Sequence, residues 1–184
     1  MKVIIATAGA ENAARWRVEI LPDSAILRDG KPLFLPSLTA APSFSAALAF
    51  RVGRLGKNIG RKFADRYFDA ITLCVKMAPA ADEVAFSSAD LARFADSAIV
   101  VGDWVELEGF DAPTSSASVL STRLAVERSL QRSLDLIADV TRYATIKMGD
   151  IVVVDPAEIL PGLEIDDIVT GSLNNRQILR FRIK

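Results

Sequence analysis

The sequence predicts an α+β fold in a single domain spanning residues 1–184, and three patterns carry that expectation. Phe44, Ala46, Leu48, Phe50 and Val52 alternate with Ser45, Ala47, Ala49 and Arg51, the period-two signature of a strand with a buried face. Leu130, Leu134, Ile137 and Thr141 recur at helical spacing and predict a helix over 130–144. Ile151–Val154 is a continuous apolar run of the kind a buried strand carries.

The other elements follow in chain order. Residues 3–6 read as the first strand. The apolar run behind Met1 and Lys2 is short and ends at Glu11, which suits a strand better than a secretory signal. Residues 25–35 read as a tight hairpin about Asp29-Gly30, a pair that accepts positive φ. After the strand over 44–52, Gly53, Gly56 and Asn58 interrupt the pattern. A short amphipathic helix is predicted over 61–68, with Phe63, Tyr67 and Phe68 on its buried face, and a second apolar strand over 69–77. Ser87-Ser88-Ala89-Asp90 has the form of a helix start running through Phe94. Residues 97–108 alternate weakly around the apolar run 98–101. Residues 109–118 are a loop of small residues, and 119–126 read as a further strand. Residues 165–170 and 177–183 form a hairpin pattern across Asn174-Asn175, with Leu179, Phe181 and Ile183 on the buried face and Ile178 in phase with Arg180 and Arg182.

Composition bounds the function. A chain of 184 residues supplies a real core. Hydrophobic residues make up 51%, and the mean hydropathy is +0.27, so either the core is large or an oligomer face is buried. The net charge of −1 gives no global field for nucleic acid or anionic lipid. A lone cysteine, Cys74, excludes an internal disulfide and reads as a small buried thiol in mid-strand. The absence of histidine removes every Ser-His or Cys-His dyad and every His-bearing zinc site. Acid–base work would fall to Asp, Glu, Lys or Tyr. No apolar stretch is long enough to span a bilayer.

The stretch 44–77 joins two strands through Arg54, Gly56, Lys57 and Ile59, then Phe63, Ala64 and Tyr67. Pro22-Asp23-Ser24-Ala25 with Gly30-Lys31-Pro32-Leu33-Phe34-Leu35-Pro36 precedes it; Lys147–Asp150 and 162–184 close the chain. In these motifs, over most of its length, the chain resembles the fumarylacetoacetate hydrolase family, particularly its short bacterial members. The resemblance implies a mixed, strongly bent β-roll with few helices, a homodimer, and a cytoplasmic location. It also implies enzymes that cleave, decarboxylate or isomerise small dicarbonyl acids through a metal-bound enolate. Their magnesium or manganese sits on a Glu-x-Glu pair of the first strand and an Asp of the second.

The departures fall on the chemistry. The three metal-ligand positions are Ser45, Ala47 and Lys76, none of which supplies a carboxylate. The segment after them reads Ala78-Pro79-Ala80-Ala81-Asp82-Glu83. The family's other functional positions fall on Leu21, Ala92, Ala95 and Val154-Asp155-Pro156-Ala157, and Cys74 stands where glycine is usual. The expectation is therefore a catalytically degenerate protein with no metal, serving as a binding or structural homodimer. Its ligand pocket would be Ser45, Ala47, Cys74 and Lys76, with a small carboxylate held near Lys76 and no nucleic-acid or membrane partner. Lys76 and Ser45 are the candidate catalytic residues, because a lysine in an apolar pocket loses its proton more easily and can activate a hydroxyl. The bland alternative is a Lys76 ammonium that fills the vacated space. Two other readings stay open: a divergent metal-independent enzyme, and an active hydrolase, isomerase or decarboxylase whose ligands lie elsewhere.

The remaining charged groups read as solvated. Glu106 and Glu108 share a strand face opposite Val105 and Leu107. Asp135 and Asp139 lie off the apolar face of the long helix. Asp167 reads as a turn residue. Arg51, Arg54, Lys57, Arg61, Lys62 and Arg66 form a basic cluster of a solvated face.

Overall fold

The computed structural model describes residues 1–9, 15–28, 30–38, 40–158 and 163–184. Among them lie strands β1 (Lys2–Ala8), β2 (Trp16–Pro22), β3 (Ile26–Arg28), β4 (Ser43–Val52), β5 (Phe68–Ala78), β6 (Ile99–Val101) and β7 (Val105–Glu106). They are followed by β8 (Ala117–Val119), β9 (Thr122–Leu124), β10 (Ile151–Val154), β11 (Ala157–Glu158), β12 (Ile168–Leu173) and β13 (Arg176–Arg182). Helices α1 (Ser88–Phe94) and α2 (Val126–Val140) complete the set.

The larger sheet is mixed and runs β2-β1-β10-β4-β5-β6-β3, with β11 on β4 and β7 on β5. A second sheet runs β13-β12-β8-β9. The large sheet is strongly curled, and one face closes on itself. Its concave lining is built from Val3, Ile5, Ala25, Ala47, Ala49, Cys74, Ala98, Ile99, Val101, Ile151 and Val153, an unusual share of which are small. Small side chains are what a tightly bent sheet can fit inside. The convex face carries the large residues Phe44, Leu48, Phe50, Ile71, Leu73 and Met77, packed against Leu136 and Ile137 of α2 and Leu179 and Phe181 of the second sheet. Strand β4 is therefore buried on both faces, and the alternation of large and small residues along it reads convex against concave rather than core against solvent.

Several predicted elements hold. Residues 3–6, 44–52, 69–77 and 151–154 are strands, and Ser87 caps α1 by accepting from Asp90 N at 3.1 Å. Asn174 and Asn175, at φ 50° and 63°, make the tight turn between β12 and β13. Ile178, expected in phase with Arg180, is instead buried beside Leu179, because the register shifts there: Gly171 pairs with Leu179 and Ser172 with Gln177, which leaves Ile178 as the extra residue of a bulge.

Four expectations are corrected. The segment 25–35 is not a hairpin: β3 pairs in parallel with β6, and Leu33 and Leu35 donate to the carbonyls of Arg182 and Lys184, so the segment passes from one sheet to the other. Asp29 of the expected turn lies outside the described residues. Arg61–Tyr67 is a 3-10 run rather than an α-helix. Its three-residue period buries Ala64 and leaves Phe63 42% exposed between Lys62 and Arg66. Residues 117–124 form a hairpin turned at Leu120 (φ 51°), not one strand over 119–126. The long helix begins a turn earlier than its periodicity suggested and stops at Val140, beyond which Thr141 Oγ1 donates back to the Ile137 carbonyl at 2.6 Å.

Candidate functional site

Strands β4 and β5 pair antiparallel with Ser45 opposite Lys76 and Ala47 opposite Cys74. The four expected pocket residues therefore share one patch of the concave face. Ala47 and Cys74 are 3% and 1% exposed, so the floor of that patch is solid core. Burial pushes the Cys74 thiol up to about 12, only partly offset by the Ala47 backbone N–H. At neutral pH it is a packed thiol and not a nucleophile.

Lys76 reaches across the concave face to β2. Its ammonium is ion-paired with the carboxylate of Glu19, and both side chains are mostly buried, at 13% and 24% exposure. No hydrogen bond joins it to Ser45 among the described residues. The bland reading of Lys76 is thus the one the geometry favours, with Glu19 rather than Ser45 as its partner.

The other positions are structural in their contacts. Leu21 is fully buried and Ala92 nearly so. Asp155 ends β10 at φ 44°, accepts from Ala8 N at 2.8 Å, and pairs with Arg132 at 3.1 Å. The Arg132 guanidinium lies 4.0 Å over the ring of Trp16, whose indole N–H donates to Asp139 at 3.0 Å. Glu106 pairs with Arg51, Asp135 with Arg61, and Asp167 accepts from Glu164 N at 2.8 Å as a turn residue does.

No family model matches the sequence, and no curated protein does. Solved structures do. A protein from Yersinia pestis CO92 assigned to the fumarylacetoacetate hydrolase family superposes with a TM-score of 0.78 at 18% identity, covering 100% of this chain and 92% of that one. The 2-hydroxyhepta-2,4-diene-1,7-dioate isomerase from Mycobacterium marinum gives 0.79 at 16% identity, over 99% of this chain and 73% of that one. The 5-carboxymethyl-2-hydroxymuconate delta-isomerase from Mycobacterium smegmatis gives 0.77 at 18%, over 99% and 78%.

This chain has the fold of the fumarylacetoacetate hydrolase family. The metal that the fold implies can be tested against the side chains present. Among the described residues, no three His, Cys, Asp or Glu side chains gather at any point. At the expected ligand positions stand a hydroxyl, a methyl and an ammonium, and among the described side chains the carboxylate that reaches them, Glu19, is committed to that ammonium. A hard dication needs six or more oxygens, several of them anionic. The set does not fit.

Glu19 is the residue that sequence reasoning missed. In β2 the apolar Val18 and Ile20 are 40% and 47% exposed, whereas Glu19 points inward beside the fully buried Leu21. Alternation alone aims Glu19 at solvent. The only signal was the shared parity of Glu19 with Leu21.

Proposed function

We propose that this chain is a metal-independent protein on the fumarylacetoacetate hydrolase fold, acting as a binding or structural homodimer and not as an enolate-forming enzyme. One observation carries the reading: the Lys76–Glu19 ion pair occupies the place where the resemblance puts the metal cage. Enolate chemistry draws its largest stabilisation from a cation or a dense set of donors at the developing charge. Here the one cation is already neutralised. The same pairing argues against a free carboxylate at Lys76, because Glu19 is itself the anion bound there.

The dimer is supported by apolar surface. Phe34 is 69% exposed, Phe86 51%, and Val84 fully exposed, alongside the high mean hydropathy. Light scattering of the purified chain measures this directly.

The catalytic test is turnover of 2-hydroxyhepta-2,4-diene-1,7-dioate, the substrate class named for the Mycobacterium marinum neighbour, with magnesium or manganese supplied. The expected result is no rate above that of a Lys76→Met variant. Metal-dependent turnover would restore the enzyme reading. Borohydride trapping with a keto acid covers the divergent alternative: a stable adduct on Lys76 would establish it as an electrophile.

A further inference from the structure

The concave face has a second end. Ser45 and Arg51 lie six residues apart on the same side of β4, about 20 Å at the rise of a strand. Around Arg51 the sheet opens into a cavity of about 510 Å³, within the range of small-molecule sites. Lys76 and Glu19 do not line it. Its apolar wall is Ile26, Val101 and Ile151, three residues that continue the concave core outward. The indole of Trp104 forms another wall, and the Arg51 guanidinium lies 5.3 Å from that ring. Asp69 (2.7 Å) and Glu106 (3.3 Å) hold the guanidinium in place, so the aromatic wall is braced.

Two charged side chains on the lining are uncommitted. Arg28 ends β3, directly opposite Val101 in the parallel register, and Asp103 follows Val101 by two residues. They have opposite charge and line one cavity, yet form no ion pair with each other. Among the described residues neither has a side-chain partner elsewhere. Arg51, beside them on the lining, is by contrast paired twice over. A guanidinium binds a carboxylate well, and a carboxylate binds an ammonium. Between them the wall is apolar and aromatic.

We propose that this cavity binds a small zwitterion with an apolar body, of the class of the aromatic and large aliphatic amino acids. Arg28 takes the carboxylate, Asp103 takes the ammonium, and the side chain lies against Trp104, Val101 and Ile151. The site goes beyond the function proposed above and does not depend on it, since it uses neither Lys76 nor a metal.

The test is calorimetric titration of the full chain with L-phenylalanine, 3-phenylpropanoate and phenethylamine. Phenylalanine should bind most tightly, with each single-charge analogue weaker by roughly tenfold or more, the loss of one charge-assisted hydrogen bond. Arg28→Gln and Asp103→Asn should each weaken phenylalanine by a similar factor. Both residues are exposed, so the variants should fold, and Lys31→Gln, an exposed lysine outside the cavity, should leave binding unchanged. Trp16→Phe leaves Trp104 as the sole tryptophan, whose emission should then change on binding. No saturable binding, equal affinity for phenylpropanoate, or binding with a silent Trp104 would overturn the proposal. None of these outcomes bears on the metal or turnover tests above.

Discussion

Glu19 and Lys76 form an ion pair across four strand spacings. From β2 through β1, β10 and β4 to β5, a flat sheet would hold them about 19 Å apart. Their contact is therefore a product of the curl, and it draws the two sides of the concave face together at the point where the family resemblance puts a metal. A charge pair this well buried is costly to break on one side. Lys76→Met and Glu19→Gln should each cost about 3 kcal/mol, and the double variant no more than the worse single. A double-mutant cycle by urea denaturation measures the coupling. Additivity to within about 0.5 kcal/mol would mean the pair is incidental.

Asp150 performs a comparable task at the start of the same sheet. Its carboxylate is 2% exposed, pairs with Lys2 Nζ at 2.5 Å, and accepts from the backbone N–H groups of Lys2 (3.0 Å) and Lys147 (2.9 Å). Burial would raise its pKa, but these donors together hold it below the ordinary carboxylate value. The stability it supplies is thus complete above the unfolded pKa of about 3.9 and is lost as pH falls through the lower folded value. Asp150→Asn should be less stable at pH 7 by about 2 kcal/mol and flatter in stability below about pH 4. Denaturation curves between pH 3 and pH 7 check both.

Ser133 points the other way. It lies on α2 with its hydroxyl fully buried and without a hydrogen-bond partner among the described residues. Ser133→Ala removes the unsatisfied oxygen and improves helix propensity, so it should stabilise by about 1 kcal/mol. A lower melting temperature in calorimetry would show that the hydroxyl has a partner.

Gly102 marks a close approach of the large sheet to β13. A Cβ there would stand 2.4 Å from the Ile178 carbonyl oxygen, which is backbone and cannot swing aside. Gly102→Ala should therefore cost about 2–3 kcal/mol, measurable by thermal melting. It should also shift the neighbouring cavity wall at Val101 and Trp104.

How much of this could be read from the sequence differs by element. Strand β4 was plain from its alternation, and β5 and β10 from their apolar runs; burial of the second face of β4 was not, because its small residues read as the solvent side. The 3-10 run of Arg61–Tyr67 was misread because seven residues are too few to tell its tighter period from that of an α-helix. Strand β2 was not anticipated at all: its apolar Val18 and Ile20 face outward and its one acidic residue faces in. That Ser45 and Lys76 face one another followed from the family resemblance and not from any local pattern. The partner of Lys76 did not, because a contact over 57 residues depends on the curl of a whole sheet and no local pattern encodes it. The same holds for Lys2 and Asp150, 148 residues apart.

The central claim is that an ion pair has taken the place of a metal cage, and thermal melting with magnesium or manganese tests it most directly. A cation bound only to the folded chain at one hundred times its Kd adds about 2.7 kcal/mol, a rise of roughly 5–10 °C for a chain of this size. The account predicts no concentration-dependent change in Tm with either cation. A rise that grows with cation concentration and disappears in Glu19→Gln would contradict it.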